Sequence, residues 1–187
     1  MDKLTDIDFF TAAHVLDCDV ATVKALAEVE SAGAGFLPSG IPKILFEAHI
    51  FSRLTNHKYD KTYPSISSKT WNKKLYVGGE GEHRRLQVAS KLDREAALQA
   101  TSWGMFQLMG FNWKACGYKN LQEFINDMFV SSYGQLRGFI GFIRNNKKLL
   151  SAVQKRAWKT VALLYNGAGY RENKYDEKLE QAYKKFS

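Results

Sequence analysis

The chain has 187 residues, of which 45% are hydrophobic and 25% are charged, with a formal net charge of +8. This length and apolar content predict one globular domain over residues 1–187 with a sizeable core, and no apolar run approaches the roughly 18 residues of a membrane span. The first residues lack the basic-then-apolar layout of a signal peptide, so we expect synthesis in the cytoplasm.

The charge and the cysteines narrow the classes of function. The excess of 27 basic over 19 acidic residues favours an anionic partner, whether nucleic acid, a lipid surface or an acidic polymer. The basic residues are dispersed, which is more typical of a solvated positive surface than of a dedicated nucleic-acid module. Cys18 and Cys116 have no metal-like spacing and are predicted to be free thiols.

Capping residues predict the first two helices. Thr5 precedes "DIDFFTAAHVL", which has acids in its first turn and apolar residues at helical spacing, and this helix is predicted to end before Cys18. Asp19 is predicted to cap a second helix, "VATVKALAEVES", that ends at Gly33 and Gly35.

The next part of the chain is predicted to be less regular. The run "ILFEAHIF" at 44–51 is compatible with either a strand or a helix. Residues 55–83 are polar and dotted with aromatic side chains, which predicts a long excursion with one short hairpin. Any β structure is therefore expected near residues 41–80.

The rest of the chain is predicted to be helical. The helical runs are "RRLQVASKLDREAALQA", "GMFQLMG", "LQEFINDMFV", "SSYGQLRGFIGFIRNN", "KKLLSAVQKR", "AWKTVALLYN" and "YDEKLEQAYKKF". Asn120 and Glu123 form a capping box for the third run, and Gly167 with Gly169 ends the sixth. The predicted fold class is mainly α (α+β), with a small β region near residues 41–80.

Two acids in the second helix are predicted to face different sides. At about 100° per residue, Glu30 projects from the middle of the apolar stripe, whereas Glu28 lies beside Lys24 and predicts a solvent-exposed i,i+4 ion pair. Burial and the negative end of the helix both raise the free energy of ionising Glu30. A carboxylic acid that stays protonated near neutral pH is what glycoside hydrolysis uses to protonate the leaving oxygen. The alternative is a helix-end Glu satisfied by a nearby Arg or by backbone amides.

Three segments in order carry a family resemblance: "VESAG" at 29–33, "SWGMFQLMG" at 102–110 and "ALLYNGAGY" at 162–170. Together they resemble the lysozyme superfamily in its goose-type lysozyme and soluble lytic transglycosylase branch. With "GIPKILFEAHIF" at 40–51 and "GFNWKACGY" at 110–118, the sequence is similar over nearly its whole length to the N-acetylmuramidase domain family of phage and prophage endolysins. The resemblance implies a lysozyme-like fold, and we expect residues 1–187 to form a single catalytic domain with no separate cell-wall-binding module.

The resemblance also implies the site residues. Glu30 would be the general acid that cleaves the β-1,4 bond between N-acetylmuramic acid and N-acetylglucosamine in peptidoglycan. Leu108 and Met109 are interpreted as core residues, and an alternative for Tyr165 is a core position whose hydroxyl anchors the Glu30 carboxyl. The implied substrate-binding residues are Ser31, Gly104, Met105, Phe106, Gln107, Tyr165 and Asn166.

A second carboxylate is expected opposite the acid. Glu47, the only acid between Glu30 and Asp60, interrupts an apolar run and is our candidate for a catalytic base or ion-pair stabiliser. The alternative is a structural ion pair with Arg53 or His49. The residues leave open both hydrolysis and lytic transglycosylation, in which the sugar's own 6-hydroxyl attacks, and the resemblance favours hydrolysis.

No cofactor and no metal are expected, because the spacings of His49, His57 and His83 fit no metal site. Aromatic residues over 59–76, together with Trp103, are candidates for stacking on sugar faces.

The expected partner is peptidoglycan, with electrostatic contact to anionic cell-surface polymers or the outer membrane. We expect a monomer that binds no nucleic acid and reaches the periplasm after holin-type release. The competing class is a non-enzymatic basic helical domain that binds nucleic acid or an anionic membrane, through residues 139–164 or the last helix.

Overall fold

The computed structural model describes residues 3–31 and 33–187, so residue 32 of the "VESAG" segment lies outside the described residues. The described part is mainly helical with one small antiparallel sheet, which confirms the predicted fold class. The helices are α1 (Asp6–Leu16), α2 (Val20–Glu30), α3 (Ala48–Leu54), α4 (Glu80–Leu92), α5 (Arg94–Gln99), α6 (Leu121–Val130), α7 (Ser132–Asn145), α8 (Lys147–Gln154), α9 (Trp158–Asn166) and α10 (Tyr175–Phe186). The strands are β1 (Ile44–Phe46), β2 (Thr101–Trp103) and β3 (Leu108–Met109). Among these described helices, none has the length and apolarity needed to cross a membrane.

Three helices begin at the capping side chains that the sequence predicts. Thr5 and Asp8 exchange hydrogen bonds in a complete capping box at the start of α1. Asp19 accepts a backbone N–H of the first turn of α2 at 2.7 Å. Asn120 caps α6 by accepting from the Glu123 N–H at 2.8 Å, but the Glu123 carboxylate bonds the N–H one residue before Asn120, so the predicted box is only half formed.

The sheet lies only partly within the predicted region. β1 pairs with β2, and β2 pairs with β3, so two of the three strands fall at residues 101–109. The predicted helix at "GMFQLMG" is wrong, because this run forms the turn and last strand of a hairpin. Gly104 and Gln107 have φ of +70° and +47°, a left-handed conformation that a right-handed helix cannot contain. The ambiguous run "ILFEAHIF" is both elements: β1 and then α3, divided at Glu47.

Two further predictions are corrected in the middle of the chain. The hairpin predicted in residues 55–83 is wrong, because this segment is a series of turns with a 3-10 turn at Lys73–Leu75 before α4 begins. Its backbone is satisfied locally, as in the bond from Tyr63 N–H to the Tyr59 carbonyl at 2.8 Å. The single helix predicted after residue 83 is two helices, because Asp93 ends α4 and caps α5.

The core forms around α2 and α7. α2 packs between α1 and α10, while α7 packs against α1, α6 and α8. Both cysteines are free, as predicted. Trp103 does not face solvent as a sugar-stacking residue would, because its side chain is buried and its indole N–H donates to the Leu98 carbonyl. The largest fully buried side chains are Trp103, Phe46, Phe51, Phe124, Phe139, Leu16, Leu26, Met128, Leu136, Ile143, Leu149 and Leu179.

Candidate active site

Glu30 is the last residue of α2, and its carboxyl is partly buried. Asn166, the last residue of α9, donates from Nδ2 to Glu30 Oε1 at 3.1 Å, so the ends of two helices meet at this carboxyl. Burial raises the pKa of Glu30 to about 7, and the Asn166 hydrogen bond only partly opposes the shift. The carboxyl is therefore protonated in a large share of the molecules near neutral pH.

Glu28 is exposed, as predicted, but its predicted pair with Lys24 is wrong. Glu28 instead accepts from Lys185 Nζ of α10 at 2.6 Å, and Lys24 Nζ binds Asp6 of α1 at 2.7 Å. These pairs form because α2 lies between two helices that each bring a charge of the opposite sign close to it. The charge from α1 is Asp6, and the charge from α10 is Lys185. The two acids of α2 thus lie in different surroundings, one in solvent and one withdrawn from it.

Tyr165 packs its ring edge-on against Phe139 and Phe142, with centroids 5.4 and 5.9 Å apart. Burial, and then the neighbouring Glu30 charge, raise the pKa of Tyr165 above its usual value. The hydrogen bond that Glu30 accepts comes from the next residue, Asn166, and not from the Tyr165 hydroxyl that the alternative interpretation proposed. Tyr165 therefore lies close to Glu30 within a cluster of packed aromatic rings.

The β2–β3 turn is tied to the segment that follows α2. Gln135 Oε1 accepts from the Met105 N–H at 2.8 Å, and its Nε2 donates to the Gly35 carbonyl at 3.1 Å. Gly104 lies so close to this amide that a Cβ at residue 104 would overlap the Gln135 side chain. A glycine is needed here both for its positive φ and for this close approach.

The other candidate substrate-binding residues of the hairpin differ in exposure. Gln107 is partly buried, and its amide donates to the Gly104 carbonyl and accepts from the Ser102 hydroxyl, both at 2.8 Å. Phe106 is 4% exposed and stacks on Phe139 at 4.3 Å, so its ring is part of the core. Leu108 is buried, as predicted for a core residue.

Ser31 caps the end of α2, and its N–H donates to the Ala27 carbonyl. It is partly buried and lines an open groove together with Met105. These two candidate binding residues, one from the end of α2 and one from the hairpin, are thus neighbours in the structure.

Glu47 stands between β1 and α3 with its side chain 15% exposed. The Tyr76 hydroxyl donates to Glu47 Oε2 at 2.6 Å, and His49 Nδ1 lies 3.3 Å from the same oxygen. Burial and the contact with Glu47 raise the pKa of Tyr76 to about 12, so its hydroxyl keeps the proton that it donates. His49 is therefore adjacent to Glu47, as the structural alternative anticipated.

Strand alternation sets the face on which Glu47 lies. Glu47 continues the ladder of β1, since its N–H donates to the Ala100 carbonyl at 2.9 Å. The side chains of Leu45 and Glu47 therefore lie on the face of the sheet opposite to the buried first and last residues of β1. Leu45 is paired with Ser102 in the register of β1 and β2. Because Ser102 binds Gln107, one face of the sheet carries both Glu47 and Gln107.

A third acid, Glu82 of α4, was not among the predicted site residues. Its carboxylate is fully buried and paired with Arg85 at 2.8 Å. The sequence does contain a signal for it, because Glu82 lies on the same stripe of α4 as buried Leu86, with its cation three residues later.

The family of the chain follows from comparison with known proteins. The model of the family described as N-acetylmuramidase matches residues 19–187. The chain belongs to the N-acetylmuramidase family. The muramidase is similar to the crystal structure of Burkholderia AP3 phage endolysin, with a TM-score of 0.93 and 43% identity, over 99% of this chain and 72% of that chain. A comparison with curated proteins found no match.

Membership of this family confirms the main functional prediction. The muramidase is a glycoside hydrolase that acts on peptidoglycan, and its structure is lysozyme-like. The competing class, a non-enzymatic basic helical domain, is thereby set aside.

The histidines of the muramidase make ordinary polar contacts. His83 Nε2 lies 2.8 Å from the Pro42 carbonyl, and His57 Nδ1 lies 2.8 Å from the Ser52 hydroxyl. Within residues 3–31 and 33–187, no group of three or more His, Cys, Asp or Glu side chains is arranged to hold a metal ion.

The raised pKa of Glu30 predicts how the stability of the muramidase depends on pH. Between the ordinary pKa of 4.5 and the folded value of about 7, the folded state holds a proton that the unfolded state has released. The free energy of unfolding therefore falls as pH rises through this window, because the unfolded state releases a proton that the folded state still holds. We expect Glu30→Gln to be more stable than the wild type by up to about 3 kcal/mol at pH 8, with no such gain at pH 4.

Urea unfolding of both proteins at the two pH values measures this difference. Glu28→Gln serves as the control, since Glu28 is exposed and should give no gain that grows with pH. A gain of equal size for Glu30→Gln at pH 4 and pH 8 would show that the carboxyl is not destabilised by ionisation.

Proposed function

We propose that Glu30 is the general acid of this muramidase and protonates the glycosidic oxygen between N-acetylmuramic acid and N-acetylglucosamine. The observation that carries the proposal is the partly buried carboxyl with a pKa of about 7. An acid whose pKa lies near the working pH is often protonated and still acidic enough to transfer its proton. Asn166 supports this role because its hydrogen bond fixes the orientation of the carboxyl.

Glu47 is the proposed second carboxylate. It acts either as the base that activates water or as the negative charge that stabilises an oxocarbenium-like transition state. Its place on the same sheet face as Gln107, and the Tyr76 bond that orients it, support this assignment. The presence of a second carboxylate favours hydrolysis over transglycosylation, which needs no protein base beyond the acid.

The remaining site residues divide by what they can contribute. Gly104 and Met105 lie in the β2–β3 turn, and the bonds from the Met105 N–H to Gln135 and from the Gln107 amide to the Gly104 carbonyl hold the shape of that turn. Phe106 and Tyr165 support the site from within the packed side chains. Ser31 directly follows the proposed acid, Glu30, in the chain.

Trp71 is the aromatic side chain best placed to stack on a sugar. It is 59% exposed, and its ring meets Tyr76 edge-to-face with centroids 6.4 Å apart. Because Tyr76 bonds Glu47, an exposed indole lies next to the second carboxylate. A sugar ring stacked on Trp71 would bring its polar edge toward Glu47.

The biological setting that we infer is that of an endolysin. The protein is made in the cytoplasm and acts on peptidoglycan in the periplasm after holin-type release. It works as a monomeric catalytic domain whose positive charge attracts anionic cell-surface polymers or the outer membrane, and the dispersal of its basic residues argues against a nucleic-acid partner. The similarity to the phage endolysin supports this setting.

Removal of the acid tests the proposal most simply. Glu30→Gln should lose at least about a hundredfold in the rate of clearing purified peptidoglycan, because a primary amide cannot donate a proton to the leaving oxygen. The wild-type rate should fall as pH rises through about 7, where Glu30 loses its proton. Glu28→Gln is the matched control from the same helix and should clear peptidoglycan normally. Clearing by Glu30→Gln at the wild-type rate would reject Glu30 as the acid.

Replacement of the second carboxylate tests Glu47 separately. Glu47→Gln retains the shape of the side chain and can still accept the Tyr76 hydrogen bond, so we expect a folded protein with less than about a tenth of the wild-type turnover. Circular dichroism and a thermal melt establish that the variant is folded. Near-normal turnover would assign Glu47 a structural role beside His49.

The masses of the released muropeptides distinguish the two possible reactions. Hydrolysis adds water across the bond and leaves reducing ends, which is the result expected from a site with two carboxyl groups. Products that are lighter by one water, with 1,6-anhydro ends, would show that the sugar's own hydroxyl attacks.

A further inference from the structure

Glu82 and Arg85 form a buried ion pair that contacts the backbone next to Glu47 and next to Tyr76. Their side chains are 0% and 9% exposed. Glu82 Oε2 accepts from the Phe46 N–H at 3.0 Å and from Arg85 Nη1 at 2.8 Å. Glu82 Oε1 accepts from the N–H groups of Val77 and Gly78, at 2.8 and 3.2 Å. One carboxylate thus receives hydrogen bonds from two separate segments of backbone.

The two backbone segments that Glu82 binds lie next to Glu47 and Tyr76, which are joined by a hydrogen bond. Phe46 directly precedes Glu47, and Val77 directly follows Tyr76. A backbone N–H belongs to the rigid peptide unit that joins its residue to the preceding one. The Val77 N–H therefore fixes the unit that follows Tyr76, whereas the Phe46 N–H fixes the unit before Phe46, one residue further from Glu47. Glu82 Oε1 therefore restrains Tyr76 directly, and Oε2 restrains Glu47 through Phe46, on the two sides of the 2.6 Å bond between Tyr76 and Glu47.

Arg85 reinforces the restraint on β1. Its Nη1 also donates to the Phe46 carbonyl at 3.0 Å, and its Nη2 donates to the Ser65 carbonyl at 3.2 Å. The guanidinium lies 5.1 Å from the centroid of the Phe46 ring. Burying such a pair adds little net stability, because desolvation of the two charges offsets their attraction. Its dense contacts with backbone are better explained by the need to hold those segments in place.

We propose that Glu82 is a positioning residue that fixes the carboxylate of Glu47 against Tyr76 by holding the backbone on both sides of that hydrogen bond. The inference rests on the proposed role of Glu47 in the reaction. Glu82 is fully buried and acts on the reaction only through these two segments.

Glu82→Asp tests the proposal, because it keeps the charge for Arg85 but is one methylene too short to reach both segments. We expect kcat to fall about ten- to a hundredfold with little change in KM, as expected when a reacting group is displaced by an ångström or less. The matched control is Glu80→Asp, an exposed acid two residues earlier in α4, which should leave kcat unchanged.

The ionisation of Tyr76 gives a readout that a loss of stability alone would not move. In the wild type the pKa of Tyr76 is raised to about 12, first by burial and then by its contact with Glu47. If Glu82→Asp separates the two side chains, a 13C-labelled Tyr76 should titrate closer to its ordinary pKa of 10. An unchanged Tyr76 titration in a folded Glu82→Asp protein overturns the proposal.

A double-variant comparison separates this proposal from the role of Glu47. In the Glu47→Gln background, Glu82→Asp should cause no further loss of kcat, since its effect passes through Glu47. A full additional loss overturns the proposal. If Glu47→Gln is normally active while Glu82→Asp still lowers the pKa of Tyr76, the function of Glu47 is refuted and the positioning by Glu82 stands.

Tyr76→Phe keeps the test available if Glu82→Asp does not fold. This variant removes only the partly exposed hydroxyl and leaves the Glu82 contacts intact. We expect kcat of Tyr76→Phe to fall about ten- to a hundredfold, the same loss that we expect for Glu82→Asp. A fully active Tyr76→Phe overturns the proposal.

Discussion

The withdrawal of the Glu30 carboxyl from water is the constraint on which the rest of the site depends. It arises because α2 packs on both sides, against α1 and α10, and carries its last side chain into the junction with α9. The buried side chains of α2 are mainly apolar, so the carboxyl at the end of this helix loses hydration without gaining a cation as a partner. The result is a carboxyl that keeps its proton near neutral pH at the junction of α2 and α9.

The two proposed catalytic carboxyl groups are held in contrasting ways. Glu30 is desolvated and receives one neutral hydrogen bond from Asn166, whereas Glu47 is held by a tyrosine hydroxyl and lies beside an imidazole. Glycosidases with two carboxyl groups divide the work between an acid and a base or stabiliser through such differences in environment. The division here comes from two elements of different kinds, a helix end and a strand end.

The sequence predicts the burial of Glu30 better than the contacts of the other candidate residues, because that burial depends on a local pattern. Helical periodicity alone separates Glu30 from Glu28, and the same rule applied to α4 would have marked Glu82. Tertiary contacts decide the rest. Lys24 takes Asp6 of α1 as its partner because a neighbouring helix offers a closer carboxylate than its own helix does.

The hairpin shows why a local pattern can mislead. Most residues of "GMFQLM" favour a helix individually, but Gly104 must lie against Gln135, which comes from α7 thirty-one residues later. No window of sequence contains that contact. The link between Glu82 and the backbone of Phe46 likewise spans 36 residues, so it becomes visible only in three dimensions.

A direct measurement of the ionisation of Glu30 tests the central claim. The carboxyl carbon of Glu30 can be followed by NMR between pH 4 and pH 9, with its resonance assigned by comparison with Glu30→Gln. The account predicts a titration midpoint near pH 7, because burial disfavours the charged form. A midpoint near the ordinary value of 4.5 would contradict it.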